Sequence, residues 1–218
     1  MTVEELQADV ARIALGVAQS HGFALGGGHA LNLYGIVHRG TEDVDLFTDV
    51  DGGVRAAGEL VVRALREAGL DVTVYGDDLG EVFGGFDDEL VEFQITRGAA
   101  VMRLTLARFD RNRGTVIMDV GPVLHVEDVL GGKVAALANR AEPRDYVDVA
   151  GALRRYSRAQ LLELGRRADP ALDDDDFAAA MARLDRLDDI VWRQLYGLSP
   201  QGCAAVRRAF ADWPRPVR

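Results

Sequence analysis

One cysteine in 218 residues, Cys203, excludes an intrachain disulfide and any zinc site built on several thiolates. Four scattered histidines (His21, His29, His38, His125) show no metal-ligand spacing. No apolar run approaches the roughly 18 residues that span a bilayer. The first residues, Met-Thr-Val-Glu-Glu-Leu-Gln-Ala-Asp, are acidic where a secretion signal would be basic. The expected setting is therefore cytoplasmic, with no membrane partner. Lysine is scarcer still among the charges: of 25 basic residues only Lys133 is Lys. The arginines read as a GC-rich coding bias. They leave Lys133 as the residue to explain, because a compact ammonium on a flexible stem is not always replaceable by guanidinium beside a phosphate.

Positive charge is short overall. The net charge of −10 argues against a protein that coats nucleic acid. The deficit belongs to the front of the chain: residues 1–130 carry 22 acidic and 10 basic side chains, whereas 131–218 carry 13 and 15. With 48% hydrophobic and 28% charged residues, the composition is that of a globular protein able to bury one large core or two small ones.

Apolar residues at helical spacing (Val3, Leu6, Val10, Ile13, Leu15, Val17) predict a helix ending at Ser20-His21-Gly22. Residues 23–25 then read as a short buried strand, Gly26-Gly27-Gly28 as a turn, and about 29–35 as a helix. A strand over 44–47, a helix over 53–68 closed by Gly69-Leu70, and a strand over 71–75 follow. From 80 to 121 the texture is period-two, with segments at 90–95, 100–106 and 115–120, which predicts an antiparallel meander. After Pro122 everything reads as helix: 126–141, 143–155, 158–168, 175–196 and 200–211. The acidic run 173–176 suits the positive end of a helix dipole. The fold class expected is α+β, a mixed or antiparallel sheet with flanking helices over 1–125, then a helical bundle over 126–218.

Asp43 and Asp45 are two apart on the strand, so their side chains share one face, with Val44 turned to the core between them. Paired carboxylates repel unless a cation lies between them. Nucleotidyl transfer uses such a pair: divalent ions bridge the attacking oxygen, the reacting phosphorus and the leaving pyrophosphate. Magnesium takes carboxylate oxygens and keeps several waters. Gly27-Gly28, at a strand-to-helix turn, offer backbone N–H groups with no Cβ in the way. A third carboxylate is expected from a neighbouring strand. Asp119, the one acid inside the apolar stretch 115–120, is favoured, and Glu92 in Val91-Glu92-Phe93 is the competitor.

The stretch 23–49 resembles the signature of polymerase-β-type nucleotidyltransferases. More narrowly, Gly27-Gly28-x-Ala30-Leu31 followed by Arg39-x-Thr41-x-Asp43-Val44-Asp45-Leu46-Phe47 resembles the AbiEii/MenT toxin family. Lys133-Val-Ala-Ala-Leu-Ala-Asn-Arg140 and Pro143-Arg144-Asp145-Tyr146-Val147-Asp148 are similar to that family's lysine motif and Arg-Asp-x-x-Asp helix motif. Two departures stand out. The spacer between Gly28 and Asp43 is 14 residues, slightly long for the superfamily, and Gly28 stands where many members have Ser.

The resemblance implies an NTP-dependent nucleotidyltransferase that releases pyrophosphate. Asp43 and Asp45, assisted by Asp119, would hold magnesium or manganese. Gly27 and Gly28 would approach the β and γ phosphates, and Lys133, contributed by the helical domain, would reach the triphosphate from its side of the active-site cleft. Asp145 and Asp148, at i and i+3, share a helix face. One would orient Lys133 or contact the nucleotide, with Asp148 the catalytic candidate and Asp145 a nucleotide-binding one; the other could simply pair with Arg144 or Arg140. Arg39 and Thr41 would order the loop before the metal strand or touch phosphate. The family also implies a toxin in a bacterial toxin–antitoxin or phage-defence setting, a tRNA 3′ end as acceptor and a cognate antitoxin as partner. Arg154, Arg155, Arg158, Arg166 and Arg167 would then line the acceptor's backbone or be solvated helix faces. Two other functions fit the same residues: an aminoglycoside-type transferase, whose cationic substrate suits the acidic chain, and a nucleotide-binding protein without turnover.

Overall fold

The structure, a computed structural model, describes residues 2–75 and 89–215. It divides into two compact units: residues 1–30 with 41–125, and residues 31–40 with 126–218. Residues 31–40, sequence neighbours of the metal-strand motif, thus fold with the carboxy-terminal helices. No helix among the described residues is long and apolar enough to cross a membrane.

In the first unit, α1 (Val3–Ala18) opens on a capping box. The Thr2 hydroxyl accepts from the Glu5 amide, and the Glu5 carboxylate accepts from the Thr2 amide. Leu6, Val10, Ala14 and Ala18 are completely buried along one stripe of that helix. The following elements are β1 (Ala24–Leu25), α2 (Gly27–Leu33), β2 (Asp43–Thr48), α3 (Gly53–Glu67), β3 (Asp71–Val74), β4 (Leu90–Arg97), β5 (Ala100–Arg108), β6 (Val116–Met118) and β7 (Gly121–Val123). The strands form one sheet in the order β3-β4-β5-β2-β1-β7-β6. The pairs β2–β5 and β1–β7 are parallel and the others antiparallel, so the sheet is mixed.

Alternation on β2 is strict. Val44, Leu46 and Thr48 are buried on the face that α1 and α3 cover, and Asp43, Asp45 and Phe47 lie half-buried on the other. The register carries this alternation outward: Val44 aligns with Leu104 and Phe93, Leu46 with Leu106 and Val91. Helix α3 buries Val54, Ala57, Val61 and Leu65 completely and ends where Gly69 takes a left-handed φ of 77°. The start of the expected meander, 80–88, lies outside the described residues. Its last expected strand, 115–120, stops at Met118. Asp119 and Val120 form a two-residue hairpin turn, and β7 returns antiparallel, with Met118 opposite Gly121.

The second unit contains α4 (Val126–Asn139), α5 (Pro143–Ala152), α6 (Arg158–Ala168), α7 (Asp174–Arg186), α8 (Asp189–Tyr196) and α9 (Pro200–Ala209). Helices α4 and α6 meet at two glycines. A Cβ on Gly131 would sit 2.8 Å from the Leu164 carbonyl oxygen, and one on Gly165 would sit 2.5 Å from Val134 Cγ1. Tyr146 anchors the core, its hydroxyl donating to the Ala180 carbonyl at 2.7 Å and its ring packed edge-on against Trp192 and Phe210. Burial pushes that phenol up to about 12. Residues 175–196, expected as one helix, are two. Asp188 accepts from the Ile190 amide and caps α8, while Arg207 donates to the carbonyls of Leu184 and Leu187 at the end of α7. The acidic run does start a helix: the Asp173 carboxylate accepts from the amides of Asp175 and Asp176. Cys203 is buried, and burial raises its thiol pKa.

Candidate active site

The carboxylate pair lies at the start of β2, held from one side by the glycine turn. The Gly26 amide donates to the Asp45 carbonyl at 2.8 Å, extending the β1–β2 pairing by one residue. Gly27 then takes a φ of 58°, and a Cβ there would lie 1.9 Å from Asp45 Oδ2. Only glycine fits, on backbone conformation and on space alike. At Gly26 a Cβ would meet the Phe47 ring at 2.5 Å, so this turn is pressed directly onto the strand that carries the acids. Asp43 and Asp45 are hard oxygen donors on one half-exposed face. Among the described residues no third His, Cys, Asp or Glu joins them in a metal-holding group. Two carboxylates with water completing the shell suit magnesium, which dehydrates reluctantly.

Asp119, the expected third acid, stands apart from the pair. Its strand is three places from β2 across β1 and β7, about 14 Å at ordinary strand spacing. It is also exposed in the hairpin turn, beyond the row that contains Thr48 rather than beside Asp45. Glu92 is placed differently. Asp45 aligns with Thr105 across β5, and Thr105 with Glu92 across β4, so all three stand in one row on the same face. Glu92 is half-buried there, with Arg103 Nη1 at 3.5 Å from its carboxylate.

Thr41, two residues before Asp43, is ordered by side chains that sequence reasoning missed. Gln7 Nε2 donates to the Thr41 carbonyl at 2.8 Å, which fixes the amide's orientation. The Thr41 hydroxyl donates its single proton to Gln7 Oε1 at 3.3 Å. His29 Nε2 lies 2.7 Å from the same hydroxyl oxygen. These contacts order the loop before β2. The available signal was Gln7 itself, a polar side chain only 2% exposed on the apolar stripe of α1.

The second unit gathers three of the expected residues around one buried carboxylate. Asp148, fully buried on α5, accepts from Arg39 Nε at 2.7 Å and Arg39 Nη2 at 2.8 Å, a bidentate pair. Lys133 Nζ on α4 lies 3.2 Å from the same carboxylate. Arg39 also lies over the Tyr196 ring, 5.8 Å from its centroid. Arg154 and Arg155 hold the rest of 31–40, donating to the carbonyls of Ile36, Tyr34 and Gly35. Asp148 thus brings Arg39 and Lys133 together on one carboxylate. Asp145, expected as a nucleotide-binding residue, is fully buried and accepts from the Glu142 amide at 3.0 Å and from Arg140 at 3.1 Å, capping α5. The expected acceptor arginines are engaged as well: Arg158 with Asp212, Arg166 with Asp174, and Arg167 with Glu163.

Comparison with known proteins gives a coherent result. The family model of the nucleotidyl transferase AbiEii toxin, type IV toxin–antitoxin system, matches residues 11–196. No curated protein sequence matches. Among solved structures, MenT4, a nucleotidyltransferase toxin of Mycobacterium tuberculosis H37Rv, is similar over 94% of this chain and 88% of its own, with a TM-score of 0.60 at 20% identity. JHP933 from Helicobacter pylori is similar over 94% and 86%, with a TM-score of 0.55 at 16% identity. At such identities the structural likeness speaks for the fold, and the family model speaks for the chemistry.

Proposed function

The chain belongs to the AbiEii family of nucleotidyl transferase toxins of type IV toxin–antitoxin systems, and from that premise we propose that it moves a nucleoside monophosphate from an NTP to the 3′ end of an RNA, a tRNA above all. The observation that carries this reading is the Asp43–Asp45 pair on the open face of β2, with Gly27 pressed against Asp45. A divalent ion bound there, magnesium or manganese, would lower the pKa of the attacking hydroxyl and neutralise charge on the phosphates. The acceptor hydroxyl loses its proton to water, its oxygen forms a bond to the α-phosphorus, the bond from that phosphorus to the bridging oxygen breaks, and pyrophosphate leaves. Asp43 and Asp45 supply the oxygen ligands. Glu92, the other acid expected as a candidate, shares their face and the Asp45 row but stands two strands away, beside Arg103. Within the second unit Asp148 holds two cations, Arg39 and Lys133, so that cluster keeps a surplus positive charge. Asp148 acts through Lys133 and is a positioning residue. A cognate antitoxin is the partner that the family implies.

The direct test is incubation with each radiolabelled NTP, magnesium and either total tRNA or a panel of aminoglycosides. Label on tRNA, lost on chelation, is the expected result. Label on a drug would make the chain a small-molecule transferase, and NTP binding without product would make it a binding protein. The glycine turn gives a second test. Gly27→Ala forces a left-handed φ on a residue with a Cβ and drives that Cβ into the Asp45 carboxylate. Transfer should fall more than tenfold, and the protein should lose about 1–3 kcal/mol of stability in urea. Unchanged activity would show that the glycine turn does not set the position of Asp45.

A further inference from the structure

The open face of the sheet continues beyond the carboxylates. From β2 outward its side chains are Asp43 and Asp45, then Arg103 and Thr105 on β5, then Glu92 and Gln94 on β4, then Thr73 and Tyr75 at the β3 edge. The last row is fixed by the Thr73–Gln94 register and by the Tyr75 amide, which donates to the Glu92 carbonyl at 2.9 Å. This region is open to solvent: Tyr75 is 51% exposed and the Arg103 side chain 53%. Tyr75 is nevertheless held in place. Its hydroxyl lies 3.0 Å from Gln94 Oε1, to which it donates, and Arg103 lies over its ring, 5.8 Å from the centroid. Arg103 is tied in turn to Glu92.

Tyr75 thus stands half in water on this face with its ring held in one position. An aromatic ring at a fixed angle beside a guanidinium, on a strand face, is the arrangement on which an unpaired nucleobase stacks. Beside the ring the same face carries Thr73, Gln94 and Thr105, which offer hydrogen-bonding groups to a base, and the exposed Leu90 and Val101, which offer it apolar area. The face is also continuous with the metal-binding row, and Tyr75 stands about 14 Å from β2 at ordinary strand spacing. We propose that this face receives the single-stranded 3′ end of an RNA acceptor, with one of its bases stacked on Tyr75 beside Arg103, a short way in from the reacting hydroxyl. This rests on the RNA-transfer reading above and adds where the acceptor lies. It also accounts for an acidic protein that handles RNA: the contact is stacking on one ring and one arginine, not a basic stripe.

The test is steady-state transfer to total tRNA by Tyr75→Ala, Tyr75→Trp and Arg103→Gln, with Ile117→Ser, an exposed change at the opposite edge, as control. A base stacked on an aromatic ring is worth enough that Tyr75→Ala should raise the KM for tRNA about tenfold or more. The KM for NTP should move less than about twofold, and Tyr75→Trp should restore the tRNA KM. Fluorescence anisotropy with a short single-stranded RNA should show the same loss of binding without NTP. Wild-type protein that labels tRNA while Tyr75→Ala has an unchanged tRNA KM overturns this proposal alone. Equal effects on the tRNA and NTP constants overturn it as well, by making Tyr75 structural. Wild-type protein that labels no RNA overturns the RNA reading itself.

Discussion

Asp43→Asn and Asp45→Asn should each lower nucleotidyl transfer by about a thousandfold or more while leaving the fold intact. The size follows from the chemistry. A divalent ion at developing phosphate charge contributes several kcal/mol, and each 1.4 kcal/mol is about tenfold in rate. Both side chains lie on the open face of β2, while the packing of that strand comes from Val44 and Leu46, which are completely buried. An amide of the same shape should therefore change unfolding free energy by less than about 1 kcal/mol. The measurement pairs a radiolabel assay with thermal melts. In wild-type protein, magnesium with a non-hydrolysable NTP should raise the melting temperature, because a ligand that binds only the folded state stabilises it. In the Asn variants that shift should shrink or vanish. A variant that loses activity but keeps the full magnesium-dependent shift would show that the ion is held elsewhere.

The pair was legible because period two is a local property. Asp-Val-Asp inside an apolar stretch can only present both acids to one side. Which acids stand near the pair was not legible, because that depends on sheet order and register, which are long-range. Asp119 sat in an apolar run that looked like strand, but the chain turns back at Asp119-Val120, and β7 and β1 stand between it and β2. Glu92 reached the Asp45 row only through two registers, neither visible in its own neighbourhood. The same contrast holds in the helices. Spacing showed that Asp145 and Asp148 share a face. Which of them orients Lys133 depended on Arg39, 109 residues away in sequence from Asp148. The split at Asp188 was missed because apolar periodicity carries through it, and only the capping of both ends reveals the break.

Asp148→Ala should cost about 3–5 kcal/mol of stability, the largest such loss expected from any single change in this site. Asp148 is fully buried, Arg39 has only 6% of its side chain exposed and Lys133 13%, so the two cations lean on one carboxylate in a region with little water. Without the carboxylate, Arg39 loses its bidentate partner and faces a like charge. Urea unfolding measures the loss directly. Asp148→Asn keeps the shape and some hydrogen bonding but not the charge, and should be intermediate. Lys133→Met separates stability from function. It removes the second cation and leaves the bidentate Arg39–Asp148 pair complete, so unfolding free energy should change by about 1 kcal/mol or less, while transfer falls about a hundredfold for want of the surplus charge. Combining Asp148→Ala with Lys133→Met should recover part of the stability lost by Asp148→Ala alone, since one of the two unpaired cations is gone. Recovery of stability without recovery of transfer would make Lys133 the residue that meets the substrate and Asp148 the one that holds it ready. A Lys133→Met protein with full activity would reduce the whole cluster to a structural tie between 31–40 and the helices.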